Sequence, residues 1–287
     1  MATGIVLGDN SYGKAECRLV HVERDPAGHR LTDLSVSVAL GGDLAATHYT
    51  GDNTAVLPTD TQKNTVYAFA RDGVGQIEDF GLRLARHFVH SQPTIHRARI
   101  TIEQYGWQRN GDHPHSFVRG APTRTATVTC GGEGEWVVSG VADLTVLNTT
   151  ESEFHGFIKD RYTTLPETAD RILATAVSAR WRHGSADNPD WARSHAEAVR
   201  HLLDAFADTH SCSLQQTLYA MASRVLEHRP ELVEARLSLP NKHHFLLDLS
   251  PFGLDNPDAV YHAADRPYGL IEGTAVRAGA APAGQAW

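Results

Sequence analysis

Apolar positions along the 287-residue chain switch between a period of two and a helical period, and the switches come in a recurring order. Residues 15–22 and 33–40 read as strands. The second alternates through Leu34, Val36, Val38 and Leu40, and Asp25-Pro26-Ala27-Gly28 supplies the turn of a hairpin. A helix is predicted from the capping box Thr59-Asp60-Thr61-Gln62, just after Pro58, to Arg71, with Gly73 as its stop. A second helix sets Ile77, Phe80, Leu84 and Phe88 on one face. Residues 94–108 and 123–130 return to strand character.

The remainder repeats that order with an insertion. A strand spans Trp136 to Leu147 and another Val177 to His183, with a short helix expected between them at the box Thr164-Leu165-Pro166-Glu167. Two long helices follow. One carries the stripe Trp191, His195, Val199, Leu202, Leu203 and Phe206; the other, opening at the box Ser213-Leu214-Gln215-Gln216, carries Leu214, Leu218, Met221, Ala222 and Val225. Ser238 to Leu249 alternates at both ends but is interrupted by Pro240-Asn241-Lys242-His243-His244, which predicts a kinked strand with polar side chains at the kink. A last strand lies near Leu270 to Val276.

The predicted order is therefore ββααββ twice, with units at residues 1–134 and 135–287 and a flexible tail from about residue 278. The class is α+β: antiparallel sheets with helices on one face. Such sheets keep open edges, and closure of a barrel by symmetric assembly of copies is the expected remedy.

Composition adds exclusions. A 41% hydrophobic, 21% charged chain is ordinary for a globular protein, and a formal charge of -8 offers no basic surface for nucleic acid. No apolar run reaches membrane-spanning length and the N-terminus lacks signal-peptide character, so no membrane partner and a cytoplasmic location are expected. Cys17, Cys130 and Cys212 are odd in number and far apart, which argues against a disulfide framework or a CxxC metal site.

Several segments together resemble the urate oxidase (uricase) family, of the bacterial type, from about Tyr12 to Ile271. They are Tyr12-Gly13-Lys14, Thr59 to Thr65, His113-Pro114-His115-Ser116-Phe117, Leu144-Thr145-Val146-Leu147, Ser152 to Phe157, Tyr162-Thr163-Thr164-Leu165 with Asp170 to Leu173, and Ser238 to His243. The resemblance implies a tandem tunnelling fold, a homotetramer with active sites between subunits, and oxidation of urate by molecular oxygen and water to 5-hydroxyisourate and hydrogen peroxide without metal, flavin or haem.

Carried over by motif position, Lys14, Thr59 and His243 form a proton relay: an ammonium beside a hydroxyl passes a proton that an imidazole accepts or returns. The resemblance also implies that Thr59, Asp60, Phe154, Leu165, Arg171, Leu214, Gln215 and Asn241 bind substrate. Arg171 and Gln215 suit the edge of a planar anion, Phe154 its face, Leu165 and Leu214 the walls, and Asn241 the oxygen species above the ring. Blander roles compete: Thr59 as a helix cap, Phe154 and the two leucines as core, Arg171 as an ion-pair partner of Glu167, Asn241 as a turn residue. Thr59, Leu165 and Gln215 each fall in or beside a capping box, so three helix N-termini are expected to converge on the anion.

The chain departs from the family where Asn148 replaces a Lys and Ala176 an Asp. The competing functions are another tunnelling-fold purine or pterin enzyme and a catalytically inactive purine-binding oligomer.

Overall fold

The structure is a computed structural model that describes residues 4–120, 122–188, 190–264 and 266–287. It divides into two compact units: the chain up to Gly140 with Arg182–Ala192 and Ala281–Trp287, and Val141–Trp181 with Arg193–Ala280.

The first unit holds strands β1 (Tyr12–Glu23) and β2 (Arg30–Gly42), helices α1 (Ala45–Thr50), α2 (Thr59–Arg71) and α3 (Ile77–Ser91), strands β3 (Ile95–Tyr105), β4 (Trp107–Arg109), β5 (Phe117–Arg119) and β6 (Thr123–Gly131), and the opening of β7 (Gly134–Asn148). The order β1-β2-β3-β6 is antiparallel throughout. Register stacks Val38 on Ile100 and Ile100 on Val128, so period-two positions from three strands form one apolar face. The predicted stripe of α3 covers it: Ile77, Phe80, Leu84 and Phe88 are all fully buried. Beside them Glu78 is buried with Arg124 at 2.7 Å and the Ser139 hydroxyl donating at 2.7 Å. Desolvation holds its carboxyl above the ordinary range despite the guanidinium.

The short helix α1 and the β4–β5 hairpin are absent from the sequence reading, because α1 buries nothing and three-residue strands show no period. The C-terminal segment expected to be flexible is held instead: Ala286 is 1% exposed, and Arg182 donates to the Ala281 carbonyl at 2.9 Å. Its Ala/Gly composition signals low propensity and says nothing of the carbonyls that long-range arginines capture.

The second unit contains the rest of β7, then β8 (Leu173–His183, its last two residues in the other unit), α4 (Trp191–Asp208, its first two residues in the other unit), α5 (Leu214–His228), β9 (Leu232–Pro240), β10 (His244–Leu246), β11 (Tyr261–Ala263) and β12 (Leu270–Val276). Its strand order is β7-β8-β9-β12. The core joins Trp181, Leu202, Met221, Val225 and Leu232, each at most 1% exposed. All five stripe residues of α5 are buried, whereas Leu203 of α4 is 38% exposed and lies outside the core.

Residues 164–167 form no helix. The segment is pinned at its end instead, with Phe154 and Thr168 exchanging backbone hydrogen bonds at 2.9 and 3.1 Å and Lys159 pairing with Glu167 at 2.8 Å. The box had no apolar helical stripe behind it, and tertiary pairing overrode local capping. Among the described residues, no helix is long and apolar enough to cross a membrane.

Candidate active site

A cavity of about 300 Å³ opens in the second unit, lined by Phe154, Leu165, Arg171, Asn241 and His243 among others. That volume suits a small planar heterocycle. The predicted kink is the device that builds it: β9 ends at Pro240, and Asn241 bridges Thr175 of β8 while its N–H donates to Gly269 at 2.8 Å. Lys242 N–H donates to the Ala174 carbonyl at 2.8 Å, and His243 then leads into the separate β10–β11 hairpin. With the backbone held on both sides, the Asn241 and His243 side chains are set by structure rather than by a flexible loop.

Arg171 sits just before β8. Its Nε donates to the fully buried Ser152 hydroxyl at 3.3 Å, and its guanidinium carbon lies 5.3 Å from the Phe154 ring centroid. Burial alone lowers its pKa, and among the described residues it forms no ion pair. The alternative partner Glu167 is taken by Lys159. A desolvated guanidinium without a carboxylate is an anion site in waiting, since an incoming anion supplies the charge the fold withholds. His243 is held below the ordinary imidazole range, first by burial, then by the charges of Arg171 and His244. It is therefore a neutral base at neutral pH.

Phe154 does not offer both faces. Phe157 stacks on it at 4.9 Å with 15° between planes. Phe157 lies inside the Ser152–Phe157 motif, yet its spacing gave no sign of the stack. His244, Asp258 and Tyr261 also line the cavity and were missed; the hairpin that sets Tyr261 opposite Leu246 is three residues per strand. Leu165 lines the cavity from the segment that forms no helix and is 52% exposed.

Leu214 and Gln215 open α5 but do not line this cavity: Leu214 is 3% exposed within the core, and Gln215 is exposed on the first turn. The α5 cap does form, with Ser213 Oγ accepting from Gln216 N–H at 3.2 Å, while the Gln216 side chain accepts from Cys212 N–H at 2.8 Å, one residue before the cap. For α2 the N-cap is Pro58, Thr59 is the first helical residue, and no side chain caps. With no helix at Leu165, the expected convergence of three helix N-termini on the anion does not stand.

Lys14, Thr59 and Asp60 belong to the first unit. Lys14 pairs with Val38 immediately before a bulge, where Glu16 takes φ +56° and donates its N–H to Ser37 Oγ at 2.9 Å. A bulge re-aims the side chains around it. Gly13 is required beside Lys14, because a Cβ there would fall 1.7 Å from the Val38 carbonyl oxygen. The Asp60 carboxylate is lowered chiefly by its hydrogen bond to Lys63, with Lys14 contributing from further off, so strand β1 and the start of α2 share one charged neighbourhood. The expected site residues thus form two groups, one in each unit.

Two units of antiparallel strands with helices, and a cavity joining a guanidinium, a neutral imidazole, an amide and an aromatic ring, define a tunnelling-fold protein for a small planar anion. The chain belongs to the uricase family, whose model matches residues 10–129 and 137–272. It is 53% identical over 278 residues to a uricase of Arthrobacter globiformis, covering 96% of this chain and 92% of that one, and 37% identical to a uricase of Dictyostelium discoideum, covering 94% and 97%. The crystal structure of the Arthrobacter globiformis uricase superposes with a TM-score of 0.94 at 53% identity, covering 98% of both chains. A Bacillus sp. TB-90 urate oxidase, 22% identical, shares the fold with a TM-score of 0.80, covering 94% of this chain and all of that one.

Proposed function

We propose that the chain oxidises urate with molecular oxygen and water, giving 5-hydroxyisourate and hydrogen peroxide, with the second-unit cavity as the urate site. Arg171 carries this reading: a half-buried guanidinium beside Phe154 that forms no ion pair among the described residues and lowers the pKa of His243 by its charge. In this account Arg171 holds the edge of the urate anion, Phe154 lies against its face and Leu165 bounds the pocket, while Leu214 and Gln215, also expected to bind, do not line this cavity. Asn241 donates to the oxygen species above the ring.

Lys14, Thr59 and His243 then move the protons. Deprotonated urate supplies both electrons, oxygen leaves as peroxide, and water adds to the ring carbon. The mass balance is urate plus oxygen plus water to 5-hydroxyisourate plus hydrogen peroxide.

The Lys14–Thr59–Asp60 group and the cavity group lie in different units, which supports a site assembled between copies in a homotetramer. In this proposal each half, 1–134 and 135–287, provides one ββααββ unit, and the open edges β1 and β12 close against other copies. A cytoplasmic setting fits the scattered, unpaired cysteines.

The test is to mix the protein with urate under air, follow loss of the urate ultraviolet band, and titrate peroxide. One peroxide per urate supports the proposal. Urate binding without turnover would favour a purine-binding oligomer instead.

A further inference from the structure

Close to Phe154 in the chain, two backbone segments are joined by a parallel bridge between Ser152 and Ser211. Ser211 N–H donates to the Glu151 carbonyl at 2.9 Å, and Glu153 N–H donates to the Ser211 carbonyl at 2.8 Å. Both serines are fully buried, and the Thr217 hydroxyl donates to Ser211 Oγ at 2.8 Å. Side chains alternate about extended backbone, so burying Ser152 and Ser211 turns their neighbours Glu153, His210 and Cys212 to the opposite, open side, and Glu151, at φ +62°, is exposed beside them. There a carboxylate oxygen of Glu153, a ring nitrogen of His210 and Sγ of Cys212 all lie within 4.8 Å of one another.

The imidazole is oriented as well as near. His210 Nδ1 lies 2.7 Å from the Glu151 carboxylate, which fixes the proton on Nδ1, and the other nitrogen, Nε2, lies 3.8 Å from Glu153. A carboxylate holding the far nitrogen of a ligand histidine is the arrangement that orients metal-binding imidazoles and strengthens them as donors. Thiolate, imidazole and carboxylate together select zinc or another borderline transition ion over magnesium or calcium. Bonds of about 2.0–2.3 Å need donors separated by roughly 3.3–3.8 Å, a spacing that small rotations of these surface side chains reach.

We propose that Glu153, His210 and Cys212 form a zinc-class cation site, oriented by Glu151, with the fourth position open to solvent. His155 Nε2 lies 3.3 Å from the Glu153 carboxylate, beside this group. The site is separate from the urate cavity but shares its framework: Glu153 precedes Phe154, and Cys212 precedes the Ser213 cap of α5. A bound ion cross-links these segments and stabilises the folded chain by mass action.

The test uses the full-length protein stripped of metal with a chelator and titrated with cobalt(II) and, separately, zinc. The expected result is saturation at one equivalent per chain, a cobalt–thiolate charge-transfer band in the near ultraviolet, and a rise in melting temperature. Cys212→Ser removes the band, and His210→Ala and Glu153→Gln each weaken zinc binding by about 10- to 100-fold or more, as does Glu151→Gln through the ring. Cys17→Ser, a buried cysteine elsewhere, leaves binding intact. Absence of saturable binding, or a band and affinity unchanged in Cys212→Ser, overturns the proposal.

Discussion

Arg171 and His243 interact through charge, and that coupling is measurable. Replacing Arg171 by Gln removes one of the two cations that depress the imidazole but leaves its burial, so the His243 pKa rises part of the way toward its ordinary value. NMR titration of the ring protons reads this directly. The same substitution raises the urate KM by about 10- to 100-fold, the equivalent of losing hydrogen bonds to a charged group. The pH dependence follows with a definite sign. In the free enzyme His243 stays neutral below the ordinary imidazole pKa of roughly 6.5, so the acid limb of kcat/KM lies below that pH. Bound urate, an anion, favours imidazolium, so the acid limb of kcat lies higher than that of kcat/KM. If Lys14 and Thr59 relay protons, Lys14→Ala and Thr59→Ala each lower kcat by about 10²- to 10⁴-fold in steady-state assays. At this scale the sequence pointed to Arg171, Asn241 and His243, which line one cavity, because such residues carry their chemistry in the side chain. That Phe157 covers one face of Phe154, and that Glu167 leaves Arg171 for Lys159, depended on contacts that no spacing encodes.

The elements show where local signals suffice. Helices α3 and α5 appear as read because an apolar stripe, a start signal and a sheet to cover all agree. Ser213→Ala removes the side-chain cap of α5, costs about 1 kcal/mol, and lowers the melting temperature by about 2–4 °C, checked by calorimetry. Gly13→Ala is far more damaging, because its Cβ would overlap the Val38 carbonyl oxygen across the β1–β2 ladder. A loss above about 3 kcal/mol is expected in urea denaturation. The capping signal at Thr164 misled because a cap selects where a helix starts only if burial favours a helix there. Here the chain leaves the box directly into the Phe154–Thr168 bridge, where pairing with a distant segment takes the place of a helical turn. The kink after β9 was readable, since Pro240 cannot continue a ladder as a donor, but its destination in a second small hairpin was not.

For the whole molecule, the open edges and the partition of site residues between two units lead to one expectation: the native protein sediments at about four times the chain mass of 31.3 kDa. Dilution or mutation that dissociates it abolishes turnover even where each chain stays folded, which analytical ultracentrifugation beside activity assays would establish. The sequence by itself determined the period of each long strand and helix, the duplicated ββααββ order, and the residue types able to grip and deprotonate a planar anion. These depend on side-chain chemistry and on neighbours a few positions away. Tertiary structure alone decided that no helix forms at Leu165, that the C-terminal segment is packed, that Leu214 serves the core, and that among the described residues Arg171 has no ion pair. Each of those outcomes depends on which distant group reaches a backbone carbonyl, a ring face or a charge first, and a linear pattern holds no record of that competition.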